Sequence, residues 1–320
     1  MGNALRRVGG RTAESLITLA LLVTLAFALA HAVPGGPAYS ILGLKARPVS
    51  MAAVDMQLGL DVPVWRQYVV WWGHLLHGDF GTSYLLNRPV AEVIGEYAGN
   101  TLALDAAGLG LAVLLGLAAG VVHGVYGRRW PGRLVSGAEI LFYAMPGFFT
   151  GALLLMVFSV WLRWLPAGGV ADLRLDHPGV ADRLRHLVLP ACSLMLLGFA
   201  GVSRVLAQSM RTESARDYVR SARARGLRES TILWRHIMPN ALRPAITLLG
   251  ISIPGLFAGS VVVESVFSYP GLGWLLWRSA LAHDYPVLVA LVLLVGVATI
   301  VGNLLADLLN SWLDPVASYV

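Results

Sequence analysis

Charge is what this sequence has least of: Asp, Glu, Lys and Arg make up 13% of its 320 residues, against about 25% in a soluble domain. So little charge cannot cover a water-soluble surface of this size. Lysine is almost missing, Lys45 being the sole example, so the net charge of +6 rests on arginine. Cys192 is the only cysteine, which excludes an intrachain disulfide; inside an apolar run it reads as a small core residue. No G-x-x-x-x-G-K-[ST] phosphate loop is found, so any ATP has to be bound by another chain. What remains is 57% apolar side chains and a mean hydropathy of +0.68. That composition belongs in a bilayer.

Six mostly apolar stretches are long enough to cross a hydrocarbon core, which takes about 20 residues. They run approximately Ala13 to Val33, Thr101 to Val125, Ser136 to Leu162, Leu187 to Ala207, Pro244 to Phe267 and Val287 to Leu313. The first, preceded by Arg6, Arg7 and Arg11 and carrying Ala30-His31-Ala32 near its end, imitates a secretory leader. Its apolar run is longer than a leader's core, so it is expected to stay. Basic residues near span ends resist translocation. Arg128, Arg129 and Arg133 crowd the loop after span two, and Arg211, Arg216, Arg220, Arg223, Arg225, Arg228, Arg235 and Arg243 fill the loop after span four. Both loops and both termini are therefore expected in the cytoplasm, in a cytoplasmic (inner) membrane, and residues 34–100 outside. The basic residues sit at span ends, not in a nucleic-acid-binding patch.

Within span two, Gly108, Ala112, Gly116, Gly120 and Gly124 form a small-residue ridge that lets another helix approach closely. Span five carries Gly255 and Gly259, with Pro254 expected to bend it. In the outer loop, Trp65, Tyr68, Val69, Trp72, Leu75 and Leu76 share one helical face, suited to the outer leaflet or to the external ends of the spans. His74, His77 and Asp79 follow, and three ligands without a fourth read as hydrogen-bonded residues, not a metal site. Ionisable groups at membrane depth are Asp105, Glu139, Arg204, Glu264 and Asp307. Each costs about 2.5 to 3.5 kcal/mol at mid-helix unless paired or wet, and Asp307 and Glu264 are the candidates for a translocation path. No serine, histidine and carboxylate set stands out at a shared depth, so no catalytic residue is expected.

The loop after span four is too polar for lipid and too regular for a linker. Val219 to Arg225 reads as a short helix, Gly226 as the left-handed residue that ends it, and Ser230 as the cap of a second helix with Ile232, Leu233 and Ile237 on one face. A basic segment lying on the membrane surface is the plainer alternative.

The same loop resembles the coupling motif of binding-protein-dependent ABC importer permeases, E-A-A, three residues, glycine, nine residues, I-x-L-P. Arg220, Ser221 and Ala222 occupy the E-A-A positions, Gly226 is the glycine, His236 stands for the isoleucine, and Met238 and Pro239 for L-P. The run from Asp217 to Leu227, with Arg225 before the glycine, is similar to the version in the dipeptide/oligopeptide/nickel branch, where the glutamate is commonly missing. The likeness extends through Leu58 to Asp61 with Pro63, Gly78 to Ser83, Arg88 to Val90, Trp164 to Pro166, Leu187 to Pro190, Glu264 to Gly273, Asp284 to Pro286 and Leu313 to Pro315. Gly36 departs from an expected aspartate, and Val316 from an expected basic residue.

The resemblance implies an all-α, type I importer permease with six transmembrane helices. Residues 1–33 would hold the first span, 34–100 an external loop, and 101–320 the core with a coupling loop at 208–243. Its partners would be a second homologous permease forming a heterodimer, two ATPases that bind ATP and Mg, and an external binding protein met near Gly78, Asp79, Gly81, Thr82 and Ser83. The chain itself would bind no cofactor or metal and catalyse nothing. Its cargo would be di- or oligopeptides, with a nickel chelate or glutathione as alternatives. An ion-coupled secondary transporter is the rival of another class, disfavoured because no broken helices, no paired charges near the midplane and no internal repeats are clear in the sequence.

Overall fold

The computed structural model describes residues 2–33, 36–42, 47–172 and 174–313, and only the backbone for 2–13, 249–259 and 305–313. No strand occurs among the described residues; the one ladder contact is an isolated bridge between Thr82 and Pro89. The order is α1 (Gly2–Ala32), α2 (Gly36–Leu42), α3 (Pro48–Gln57), α4 (Val64–Leu76), α5 (Val90–Tyr126), α6 (Trp130–Ala144), α7 (Gly147–Leu154) running into a π-helical turn (Leu155–Trp161), α8 (Val180–Ser214) and α9 (Asp217–Ala224). Next come α10 (Glu229–Ile232), a π-helical turn (Leu233–Ile237), α11 (Met238–Val266), α12 (Leu272–Leu281) and α13 (Tyr285–Leu313).

Long apolar spans fall in Glu14–Ala32, Val90–Tyr126, Val180–Ser214 and Tyr285–Leu304, as the hydropathy pattern requires. The third expected span is not one helix. It breaks between α6 and α7 with a bend of 109°. Pro146 lacks an N–H and pushes Met145 out of the helical region, to ψ 131°, the usual effect of proline on the residue before it. The fifth expected span lies in α11, where Pro254, Gly255 and Gly259 fall on residues whose side chains are outside the description.

The chain divides into two units, residues 1–100 with 270–300, and residues 101–269 with 301–320. In the first, Tyr68, Trp71 and Trp72 of α4 pack on Val23 and Phe27 of α1 with Val289 of α13. Tyr68 and Thr24 share a 2.7 Å hydrogen bond, and His31 Nε2 lies 3.1 Å from Gln67 Oε1. The aromatic helix is thus set against the end of a span, while Trp65, Val69 and Leu76 stay exposed.

In the second unit the small-residue ridge works as expected. A Cβ on Gly108 would come 2.6 Å from Leu194, on Gly116 2.7 Å from Val202, on Gly120 3.0 Å from Leu206 and on Gly124 2.8 Å from Met210. The four partners recur at intervals of one or two turns along α8, so the two helices mesh closely, with no room for a side chain at these four positions of α5.

Candidate functional site

α9 is amphipathic over only eight residues. Val219 and Ala222 face inward and join Leu206 and Met210 of α8, Ile232, Ile237 and Met238, and Ala241 of α11 in one apolar cluster. Arg220, Ser221 and Arg225 face outward, as do Gly226 and Leu227. The helix ends in a complete Schellman closure, in which the Gly226 N–H donates to Arg223 O at 2.9 Å and the Leu227 N–H to Ala222 O at 3.3 Å. Gly226 has φ +78°, and nothing lies within 4 Å of where its Cβ would be. The requirement for glycine here is one of backbone conformation, not of space.

The second helix begins differently from the sequence expectation. Arg228 takes the N-cap position and Glu229 opens the helix, so Ser230 lies inside it and caps nothing. Glu229 is drawn toward Arg223, whose guanidinium donates to it at 2.8 and 3.3 Å. That hydrogen bond holds the Glu229 carboxyl below its ordinary 4.5. Ile232 and Ile237 are buried and Leu233 packs beside them, as the face predicted. From Glu229 the helical path continues through the widened turn into α11. Pro239 sits in the first turn of α11 and cannot donate to the turn before it. His236 is half-buried and its carbonyl accepts from Asn240 Nδ2 at 3.0 Å and from the Tyr218 hydroxyl at 3.3 Å. Of the coupling residues read from sequence, Ala222 and Met238 are therefore anchors, and the exposed ones are Arg220, Ser221, Arg225, Gly226, Leu227 and Pro239.

In the first unit, the Gly78 to Ser83 motif forms a built turn. Gly81 N–H donates to Asp79 Oδ1 at 2.8 Å and His74 Nδ1 lies 3.0 Å from Asp79 Oδ2. These two contacts, the backbone one first, hold the Asp79 carboxyl below its ordinary value. His77 Nδ1 is engaged by Gly73 O at 2.8 Å. Gly78, Asp79 and Thr82 are exposed and Gly81 is half-buried, but Ser83 is not available at the surface. Its hydroxyl donates to Asp284 Oδ2 at 2.5 Å, and the N–H groups of Tyr84 and Leu85 reach the same carboxylate at 3.0 and 3.3 Å. Asp284 is the positioning residue that sequence reasoning did not single out. Only its place in the Asp284-Tyr285-Pro286 fragment marked it.

Two of the membrane-depth charges, Glu264 and Glu139, are held by hydrogen bonds within the second unit, while both Asp105 carboxyl oxygens are buried without a hydrogen-bond partner among the described residues. Glu264 is fully buried and accepts from Thr101 Oγ1 at 2.7 Å, with Asp105 within electrostatic reach. Asp307 lies in α13 at a position whose side chain is outside the described residues. Glu139, 1% exposed, accepts on Oε1 from Ser203 at 2.5 Å and has His123 Nδ1 at 3.0 Å on the same oxygen. Serine, histidine and carboxylate do meet, contrary to the sequence expectation, across separations of 64 and 16 residues. The carboxylate holds the serine directly, so the relay order of a nucleophile, a base and its orienter is not formed.

Apolar spans carrying a short arginine-edged helix pair, anchored by its own apolar face, define a polytopic membrane protein. The chain belongs to the binding-protein-dependent transport system inner membrane components, whose family profile matches residues 112–318, with the matching N-terminal family over 4–104. It is a multi-pass inner-membrane permease component of an ABC importer. Among its relatives are the oligopeptide transport system permease protein AppB of Bacillus subtilis (strain 168), 36% identical over 97% of this chain and 98% of that protein, and the glutathione transport system permease protein GsiC of Escherichia coli (strain K12), 37% identical over 94% and 95%. The fold also matches a solved amino acid ABC transporter, TM-score 0.53 at 15% identity over 69% of this chain and 94% of that one. The inward-facing MetNI methionine ABC transporter gives TM-score 0.52 at 18% identity over 68% and 96%.

Proposed function

We propose that this chain translocates peptides as half of a permease heterodimer, driven by two separate ATPases that grip the α9–α10 loop and supplied by an external binding protein. The observation that carries the reading is the construction of that loop. Its outer edge is free for a partner, and its inner edge is fused by Val219, Ala222, Ile232 and Ile237 to α8 and α11. A push on the loop therefore moves two spans as one body, which is what conversion of ATPase closure into alternating access needs. ATP and Mg belong to the partner ATPases, and this chain carries no cofactor of its own.

Peptide as the cargo is supported by the oligopeptide and glutathione relatives. Glutathione, itself a tripeptide, is the second reading and rests on the GsiC relatives. Gly78, Asp79 and Thr82 are the proposed contact with the binding protein, and Asp307 a proposed path residue. The test is uptake by the full complex in proteoliposomes with ATP inside, comparing a dipeptide, a longer peptide, glutathione and a nickel chelate. Transport of the chelate with no peptide or glutathione uptake overturns the substrate reading. Uptake that persists without ATP and collapses with a protonophore overturns the ATPase reading.

A further inference from the structure

Arg204 is the one membrane-depth cation of the sequence reading, and its surroundings differ from those of the buried acids. It lies in α8 among Val202, Val205, Leu206 and Ala207. Its Nε is 3.8 Å from Glu139 Oε2, and its side chain is 38% exposed while Glu139 is 1% exposed. That distance is too long for a hydrogen bond, and Glu139 already has Ser203 and His123 on its other oxygen. The Glu139 cluster thus sets a carboxyl group behind the guanidinium without using up its N–H donors. On the open side the guanidinium carbon lies 4.8 Å from the centre of the Tyr143 ring, and Tyr143 is 69% exposed. Tyr143 is one helical turn beyond Glu139 along α6, toward the break at Met145 and Pro146, where Ile140, Ala144, Phe148 and Phe149 line an apolar cleft of about 480 Å³.

Arg204 lies one turn inside the expected span end at Ala207, where an arginine reaches water or another polar surface more cheaply than it faces hydrocarbon, so the half-exposed side it shares with Tyr143 is its polar side. Arginine's planar fork matches a carboxylate, and an aromatic ring with an apolar cleft beside it suits the organic body that the carboxylate belongs to. We propose that Arg204, backed by Glu139 and flanked by Tyr143, is a transient site for a carboxylate of the transported substrate on its way past the broken span. The proposal rests on the peptide reading above and goes beyond it by naming the group recognised inside the membrane.

Two measurements on the full transporter complex test it. In proteoliposomes, initial uptake of one tripeptide is measured as the free acid and as the C-terminal amide, for wild type, Arg204→Gln and Arg204→Lys. Taking each variant's acid-to-amide ratio relative to wild type cancels any preference of the binding protein. Arg204→Gln is expected to lower that ratio about tenfold, the size of a lost charge-assisted hydrogen bond, and Arg204→Lys to recover part of it. An equal fall for both peptides shows a structural or subunit-pairing role and overturns the proposal; so does no fall. In the second measurement, Arg204→Cys is placed in a Cys192→Ser background, which leaves no other cysteine in the chain, and treated with a membrane-impermeant anionic methanethiosulfonate in the assembled complex. Labelling that substrate slows supports a wet, substrate-facing position. Failure of the Arg204→Cys variant to label sinks the site whatever the cargo is, whereas a wild-type complex that moves no peptide, with the Arg204→Cys variant still labelling, points to failure of the peptide reading instead.

Discussion

At the scale of single residues, Gly226 carries the clearest consequence. Its positive φ and the empty space around its Cβ position mean that substitution strains the backbone without clashing with anything. A β-branched residue there costs about 1 to 2 kcal/mol, which the exposed loop relieves by tilting. Gly226→Val is expected to insert and accumulate normally but to lose co-purification with the ATPases and substrate-stimulated ATP hydrolysis, with Gly226→Ala intermediate. Full co-purification and stimulation in Gly226→Val return the loop to a basic segment resting on the membrane. The neighbouring Arg223–Glu229 pair gives a pH expectation. Because the folded Glu229 lies below its ordinary 4.5, the stabilisation is fully present above that value and is lost only as pH falls through the lowered one. ATPase binding in pull-downs should therefore be flat over roughly pH 5 to 8 as far as this pair is concerned. Since both side chains are largely exposed, Glu229→Gln should change it little.

At the scale of elements, the meshing of α5 with α8 and the break in the third span make separate predictions. Gly116→Val would put its Cβ 2.7 Å from Val202 and 3.0 Å from the Phe199 carbonyl. Backbone cannot yield as a flexible side chain does, and overpacking of this kind costs about 1 to 3 kcal/mol. Its melting in detergent, followed by size-exclusion, should fall by several degrees, whereas Gly110→Ala, which meets nothing within 4 Å, should melt like wild type. Equal melting of the two would show that the ridge is not a packing seam. Pro146→Ala removes the bar to a helical Met145 and should lengthen the distance between spin labels placed near the two ends of the α6–α7 segment. An unchanged distance would assign the 109° bend to the surrounding packing and not to proline.

At the scale of the whole molecule, the arginine distribution predicts which side each loop faces. A reporter fused after Arg225 should be active only if it functions in the cytoplasm, and one fused after Asp55 only if it functions outside. The reverse pattern would detach the α9–α10 loop from any cytoplasmic ATPase. Coupling through that loop depends on continuity. Its inner face is shared with α8, and its second helix runs on into α11 through the π-helical turn, so the loop has no hinge of its own on the α11 side.

Hydropathy runs, arginine placement, the glycine ridge and the Gly226 stop were all legible in the sequence by itself, because each depends on neighbours a few residues away or on the bilayer as solvent. Pro146 was legible in principle, since the restriction it places on Met145 is local, but the unbroken apolar run around it masked the signal. Three arrangements were decided only by tertiary structure. Asp284 clasps Ser83, Tyr84 and Leu85 from about 200 positions away. Glu139 gathers Ser203 and His123 from two other helices. Arg204 is left with its fork open beside Tyr143. Buried polar groups must find partners, and which partner is within 3 Å depends on how helices distant in sequence pack, a choice that no local pattern encodes.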